Sequence, residues 1–139
     1  MILIVEDNPT DELMIVRALQ KNQIANRILV ARDGAEALAH LFPAADEGGH
    51  GDGLPSVVLL DLQLPKVSGM EVLKRIREDE RTRHLPVVVF TSSDEERDIV
   101  ESYERGVNSY VRKPVDFAEF HEAVRQLGLY WMLLNRRRT

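Results

Sequence analysis

Four short runs of apolar, mostly β-branched residues recur at nearly even intervals along the chain, and that rhythm limits the fold more than any other feature. Ile2–Val5, Ile28–Val30, Val57–Leu60 and Val87–Phe90 begin 26, 29 and 30 residues apart, close to the length of a strand followed by a crossover helix. The runs are near-continuous rather than alternating, the pattern of strands buried on both faces of a parallel sheet. A weaker run at Ser109–Arg112 supplies a fifth.

The intervals between runs read as helices, and their starts share a signature. Asn8 is followed three residues on by Asp11, Asp33 by Glu36, Ser68 by Glu71, Ser93 by Glu96 and Asp116 by Glu119. In each pair the first side chain can accept from an orphan N–H, while the acid sits in the first turn against the positive helix end. Pro9 falls at the first helical position, where its missing N–H is not needed. Five strands alternating with five helices predict a doubly wound α/β fold. A length of 139 residues suits one such domain with a single core. The stretch Gly48–Gly53 (GGHGDG) lacks the Gly-Lys-Ser/Thr of a phosphate-binding loop and reads as a linker before the third strand.

Composition removes several function classes. A net charge of −5 argues against a nucleic-acid surface across the domain, and Arg136–Arg138 at the C-terminus reads as a solvated tail. With no cysteine there is neither a disulfide framework nor a thiolate nucleophile or ligand. The four-residue apolar run at the N-terminus is too short for a membrane span and has no basic leader, so the expectation is a cytoplasmic chain with no membrane contact. His40, His50, His84 and His121 have no ligand spacing and read as solvent or interface residues.

Ligands of an open α/β sheet bind outside the carboxyl ends of the strands. Those ends carry Glu6 and Asp7 after the first strand, Asp61 after the third, Thr91 after the fourth and Lys113 after the fifth. With strand order 2-1-3-4-5, strands one and three are neighbours and the three carboxylates converge. Such a group is self-repelling unless a cation neutralises it, and oxygen-only ligands in an open site suit Mg²⁺. Lys113 and Thr91 add a point charge and a hydroxyl that can hold the oxygens of a phosphoryl group carried on Asp61. Taken singly, each residue has a plainer reading: a turn with a helix cap, a strand residue, a loop lysine. Five at one sheet edge make the case for Asp61 as a phosphoacceptor.

These residues sit in four segments, LIVEDN (3–8), LLDLQLPKVSG (59–69), PVVVFTSS (86–93) and NSYVRKP (108–114). In order and spacing they resemble the receiver domain of two-component response regulators, from Met1 to about Leu127. The resemblance implies a flavodoxin-like, five-stranded parallel sheet of order 2-1-3-4-5 with five helices. It implies that Asp61 accepts a phosphoryl group from a kinase phosphohistidine, so that the chain is a phosphoacceptor and not an enzyme beyond slow autodephosphorylation. Asp7, Asp61 and the backbone carbonyl of Gln63 would bind Mg²⁺ directly, with Glu6 acting mainly through water. Thr91 and Tyr110 would be the switch pair, and Lys113, ahead of a Pro114 bond often cis in the family, would pair with the phosphoryl group. Two residues depart from the commonest pattern: Glu6 stands where an aspartate is more usual, and Gln63 occupies a position that tunes dephosphorylation.

The C-terminus departs further. Phe117, Phe120, Val124, Leu127, Trp131 and Leu134 are spaced 3, 4, 3, 4, 3, a helical seam that runs through Gly128 at a cost of roughly 1 kcal/mol. Leu129–Leu134 is apolar all round, so it either folds back on its own domain or is an arm for a second subunit. The reading adopted is a receiver domain over 1–127 and a dimerisation arm over 128–139. The Tyr-Trp and Leu-Leu-Asn of that extension, with GVNSYVRKPVDF (106–117), are similar to the stand-alone regulators that partner bacterial phytochrome histidine kinases. That similarity implies a homodimer through the fourth helix, fifth strand, fifth helix and extension, with Tyr110, Phe117, Trp131 and Leu134 at the contact.

Two other classes compete. A haloacid-dehalogenase-like phosphotransferase would carry a second aspartate two residues after the nucleophile, where Gln63 stands. A receiver-like scaffold that is never phosphorylated would usually have lost one of Asp7, Asp61, Thr91 and Lys113, all of which are present. No effector domain follows in this chain, so the expected output is protein–protein.

Overall fold

Each apolar run becomes a strand in the computed structural model, which describes residues 1–21, 27–43, 54–101, 107, 109–113, 115–122 and 124–125. The order is β1 (Ile2–Val5), α1 (Pro9–Lys21), β2 (Ile28–Ala31), α2 (Gly34–Leu41), β3 (Val57–Asp61), α3 (Gly69–Glu78), β4 (Val87–Thr91), α4 (Asp94–Glu101) and β5 (Ser109–Arg112). A fifth helix, α5, covers 117–122 and 124–125. The strands form one parallel sheet of order β2-β1-β3-β4-β5, as expected. β2, β3 and β4 each run one residue beyond the apolar stretch, so Asp61 and Thr91 end their strands instead of following them.

The pleat divides the core in two. Ile2, Ile4, Val57, Leu59, Val88 and Phe90 point to the face covered by α1 and α5, where they meet Ile15, Ala18, Leu19, Phe120 and Val124. Their neighbours Leu3, Val5, Val58, Leu60, Val87 and Val89 point to the other face, against Ala37 and Leu41 of α2, Val72, Leu73 and Ile76 of α3, and Val100 of α4. Each buried Val, Leu, Ile or Phe among them contributes about 1.5–3 kcal/mol by leaving water. Phe90 and Phe120 meet edge to face, with ring centroids 5.3 Å apart. β1, β3 and β4 are buried throughout, whereas β2 is only half-buried along Ile28–Val30 because it forms an edge of the sheet.

All five predicted helix caps form. Asn8 Oδ1 accepts from the amides of Thr10 and Asp11 at 2.9 and 3.1 Å, and Asp33 Oδ1 from that of Glu36 at 2.7 Å. Ser68, Ser93 and Asp116 accept from the amides of Glu71, Glu96 and Glu119 at 3.2, 3.2 and 2.9 Å. These caps fix where each helix leaves the sheet edge that carries the polar residues. The 48–53 linker, His50, Pro114, Leu127 and the 128–139 extension with Trp131 and Leu134 lie outside the described residues. Among the described residues no helix is long and apolar enough to cross a membrane.

Candidate functional site

The register of the sheet brings the polar strand ends together. Val5 pairs with Leu60, which puts Glu6 and Asp7 beside Asp61, and Asp61 in turn pairs with Phe90, next to Thr91. Carboxylate oxygens of Glu6, Asp7 and Asp61 lie within 4.8 Å of one another. Glu6 and Asp61 are each 1% exposed, while Asp7 faces solvent. Backbone amides orient two of the three acids: that of Asn8 donates to Glu6 Oε1 at 3.1 Å and that of Gln63 to Asp61 Oδ1 at 3.0 Å.

Lys113 closes the cluster. Its amide donates to the Thr91 carbonyl at 3.1 Å, and its Nζ donates to Glu6 Oε1 at 3.0 Å and Asp61 Oδ2 at 2.9 Å. Asp11, on the first turn of α1, is also buried and places Oδ2 3.2 Å from the same ammonium. Burial raises the Glu6 pKa from 4.5 to about 7, and the Asp61 charge adds to it; hydrogen bonds from Lys113 and the Asn8 amide offset only part. For Lys113, burial works to lower the pKa, but hydrogen bonds to Asp61 and Glu6 outweigh it and raise it.

An all-oxygen donor set that includes a buried acid driven toward its protonated form is short of positive charge. Glu6, Asp7 and Asp61 therefore fit a hard divalent cation.

Thr91 ends β4 at this edge, and Tyr110 lies on the neighbouring β5, paired with Val89. The Thr91 hydroxyl accepts from the Ser93 amide at 3.0 Å. Tyr110 is half-buried, with the Arg97 guanidinium 4.8 Å above its ring centroid. Both line a cavity of about 220 Å³ with Ser93, Asp94, Arg97 and Arg112. Phe117 packs partly against the second core and stacks on His121, ring centroids 5.8 Å apart.

The loop after Asp61 is shaped by two glycines. The Gly69 amide donates to the Leu62 carbonyl at 3.0 Å, and a Cβ there would lie 2.1 Å from the Asp61 carbonyl oxygen. A Cβ on Gly34, at the start of α2, would meet the Val67 carbonyl oxygen at 1.9 Å. Between them Lys66 has φ 67°, in the left-handed region, and its Nζ lies 3.4 Å from Asp33 Oδ2.

Residues 2–125 match the response regulator receiver domain family. The chain belongs to that family. Proteins similar to it include the probable methanogenesis regulatory protein FilR2 of Methanothrix harundinacea, 44% identical over 135 residues, which cover 97% of this chain and 85% of FilR2. The bacteriophytochrome response regulator AtBRR is 52% identical, with a TM-score of 0.74 and 91% of each chain covered. The Mn(2+)-bound form of response regulator Rcp1 (34% identical) and the phosphorylated cyanobacterial phytochrome response regulator RcpA (36% identical) both superpose with TM-scores of 0.76. Each covers 94% of this chain and 92% of its own.

Glu6, Asp7, Asp61, Thr91 and Lys113 thus meet at one edge as their sequence positions suggested. Asp11 was legible only as a first-turn acid. Its inward turn, the Gly69 contact, the Lys66 conformation and the Arg97–Tyr110 stack have no signature in spacing alone.

Proposed function

We propose that the chain is a response regulator that accepts a phosphoryl group on Asp61 from the phosphohistidine of a histidine kinase and signals by protein–protein contact. The observation that carries this reading is a nearly inaccessible Asp61, held by Lys113 at 2.9 Å within a cluster of metal-competent carboxylates. One Asp61 oxygen forms a bond to phosphorus as the phosphorus–nitrogen bond breaks, and the departing imidazole keeps the electron pair and takes a proton. Mg²⁺ held by Glu6, Asp7, Asp61 and the Gln63 carbonyl would neutralise charge developing on the transferred oxygens. Lys113 then pairs with the phosphoryl group, and Thr91 turns its hydroxyl from Ser93 toward it. Tyr110 follows Thr91, which reshapes the surface of α4, β5 and α5; this is a population shift driven by contacts present in only one state. Turnover is limited to slow autodephosphorylation.

The likeness to AtBRR and RcpA supports a bacterial phytochrome kinase as the donor. We further read the α4–β5–α5 surface, with Tyr110 and Phe117, and the 128–139 extension, with Trp131 and Leu134, as a homodimer contact. Intact mass after incubation with acetyl phosphate and Mg²⁺ tests the central claim. One added phosphoryl group, absent from Asp61→Asn and from a chelator-treated sample, supports it. Failure with both acetyl phosphate and phosphorylated kinase points to an unphosphorylated scaffold. Sedimentation of the same samples tests the dimer, and unchanged self-association and target binding on phosphorylation would remove the proposed output.

A further inference from the structure

A lysine ammonium carries three donor protons, and three carboxylates surround the one on Lys113. Two belong to Glu6 and Asp61; the third is Asp11, whose Oδ2 lies 3.2 Å away. An acid in the first turn of a helix needs no explanation beyond the helix dipole, and for that purpose it can stay in water. Asp11 does not. It is only 7% exposed, turned inward from α1, and its charge is met there by Lys113.

The three partners differ in one respect. Glu6 and Asp61 belong, with Asp7, to the group whose oxygens lie within 4.8 Å of one another, and Asp11 does not. A divalent cation in that group claims oxygens that Lys113 now holds, and like charges then drive the ammonium away from the metal. Asp11 is the partner left to receive it.

We propose that Asp11 is a positioning residue for Lys113, holding the ammonium at the crevice when a divalent cation takes Glu6 and Asp61. The lysine thereby stays within reach of the phosphoryl group as it arrives on Asp61. The proposal rests on the phosphoacceptor reading above. An anchored ammonium is preorganised for the incoming charge, whereas one released to solvent must be recaptured in each transfer. Asp11→Asn keeps the shape of the side chain and removes the charge of that anchor.

The test uses the full chain as wild type, Asp11→Asn, Lys113→Met and the double variant, with acetyl phosphate at saturating Mg²⁺. Asp11→Asn should slow phosphorylation about tenfold, with less than a threefold change in the Mg²⁺ dissociation constant. In the Lys113→Met background the same change should have no further effect, which a merely structural role for Asp11 would not produce. An unchanged rate in Asp11→Asn, or an equal loss with and without Lys113, overturns the proposal. A second readout needs neither phosphorylation nor a variant at Asp11. In wild type, the exchange-protected ¹⁵N signal of the Lys113 ammonium, assigned by its absence from Lys113→Met, should persist when Mg²⁺ is added. Its disappearance on Mg²⁺ addition overturns the anchoring role. Absence of an Asp61-dependent adduct in wild type counts instead against the phosphoacceptor reading, and the ammonium signal still decides the role of Asp11.

Discussion

The side-chain amide of Gln63 donates to Glu96 Oε1 at 3.0 Å, joining the residue two past Asp61 to the first turn of α4. A surface hydrogen bond therefore links the β3–α3 loop to the helix beside the proposed switch. Breaking it should leave stability within about 0.5 kcal/mol of wild type, as for most surface changes. The effect should instead be on the phosphorylated state. Gln63→Ala and Glu96→Ala should alter the decay rate of the aspartyl phosphate in the same direction, and the double variant should be no worse than either alone. A decay assay on the four proteins checks this, and strictly additive effects would show that the contact couples nothing.

Glu6 sets a pH dependence whose sign can be worked out. Its pKa is raised from 4.5 to about 7 in the folded, metal-free chain. Between those values the folded state binds more protons than the unfolded state, so unfolding becomes easier as pH rises through the window. The loss amounts to a few kcal/mol. Denaturant titrations from pH 4.5 to 7.5 in chelator should show this decline, and Glu6→Gln should flatten it. Because a cation and the Glu6 proton compete for the same oxygens, Mg²⁺ affinity should rise toward pH 7 and level off above it. An Mg²⁺ titration at each pH supplies the check.

Arg97 stacks on Tyr110 in the conformation described above. A partly exposed cation–π contact of this kind contributes about 0.5–1 kcal/mol, roughly a two- to fivefold bias in a two-state equilibrium. Arg97→Ala should release Tyr110 by about that factor and speed phosphorylation by acetyl phosphate correspondingly. Stopped-flow kinetics with Tyr110→Ala as background would register the gain only when the ring is present.

Gly69 and Gly34 separate stability from chemistry. Both substitutions to alanine drive a Cβ into a backbone carbonyl oxygen, that of Asp61 for Gly69 and that of Val67 for Gly34. Each should destabilise the fold by about 1–3 kcal/mol through overpacking. Only Gly69→Ala displaces the backbone of the phosphoacceptor itself, so at a temperature where both variants are folded it should lose far more phosphorylation rate. Comparable rates for the two would place the Asp61 backbone outside the requirements of transfer.

The parts visible in the sequence are those that depend on local pattern. β-branched runs fix the strands, and a capping residue three places before an acid fixes each helix start, so the sheet edge and its five polar residues could be read directly. Strand ends were short by one residue at Asp61 and Thr91, because neither carries the apolar side chain that marked the run. Contacts that depend on how α1 and α4 roll against the sheet were not legible. Asp11 meets a lysine more than a hundred positions away, and no periodicity records which side of a first turn faces inward. The left-handed turn at Lys66 was hidden for a different reason, since a glycine or asparagine would have announced it and a lysine does not.

That turn has a consequence for how this protein responds to its medium. Lys66 keeps a backbone shape that lysine disfavours, with its ammonium in solution 3.4 Å from Asp33 and its side chain 72% exposed. The loop between Asp61 and α3 is thus joined to the start of α2 partly by an attraction that dissolved ions weaken, since exposed charges are screened over about 8–10 Å at ordinary ionic strength. The Lys113 pairs, largely out of water, are much less subject to such screening. Raising the salt concentration should therefore loosen the Lys66–Asp33 link between this loop and α2 while leaving the Lys113 cluster nearly untouched, whereas a divalent cation would act on that cluster first.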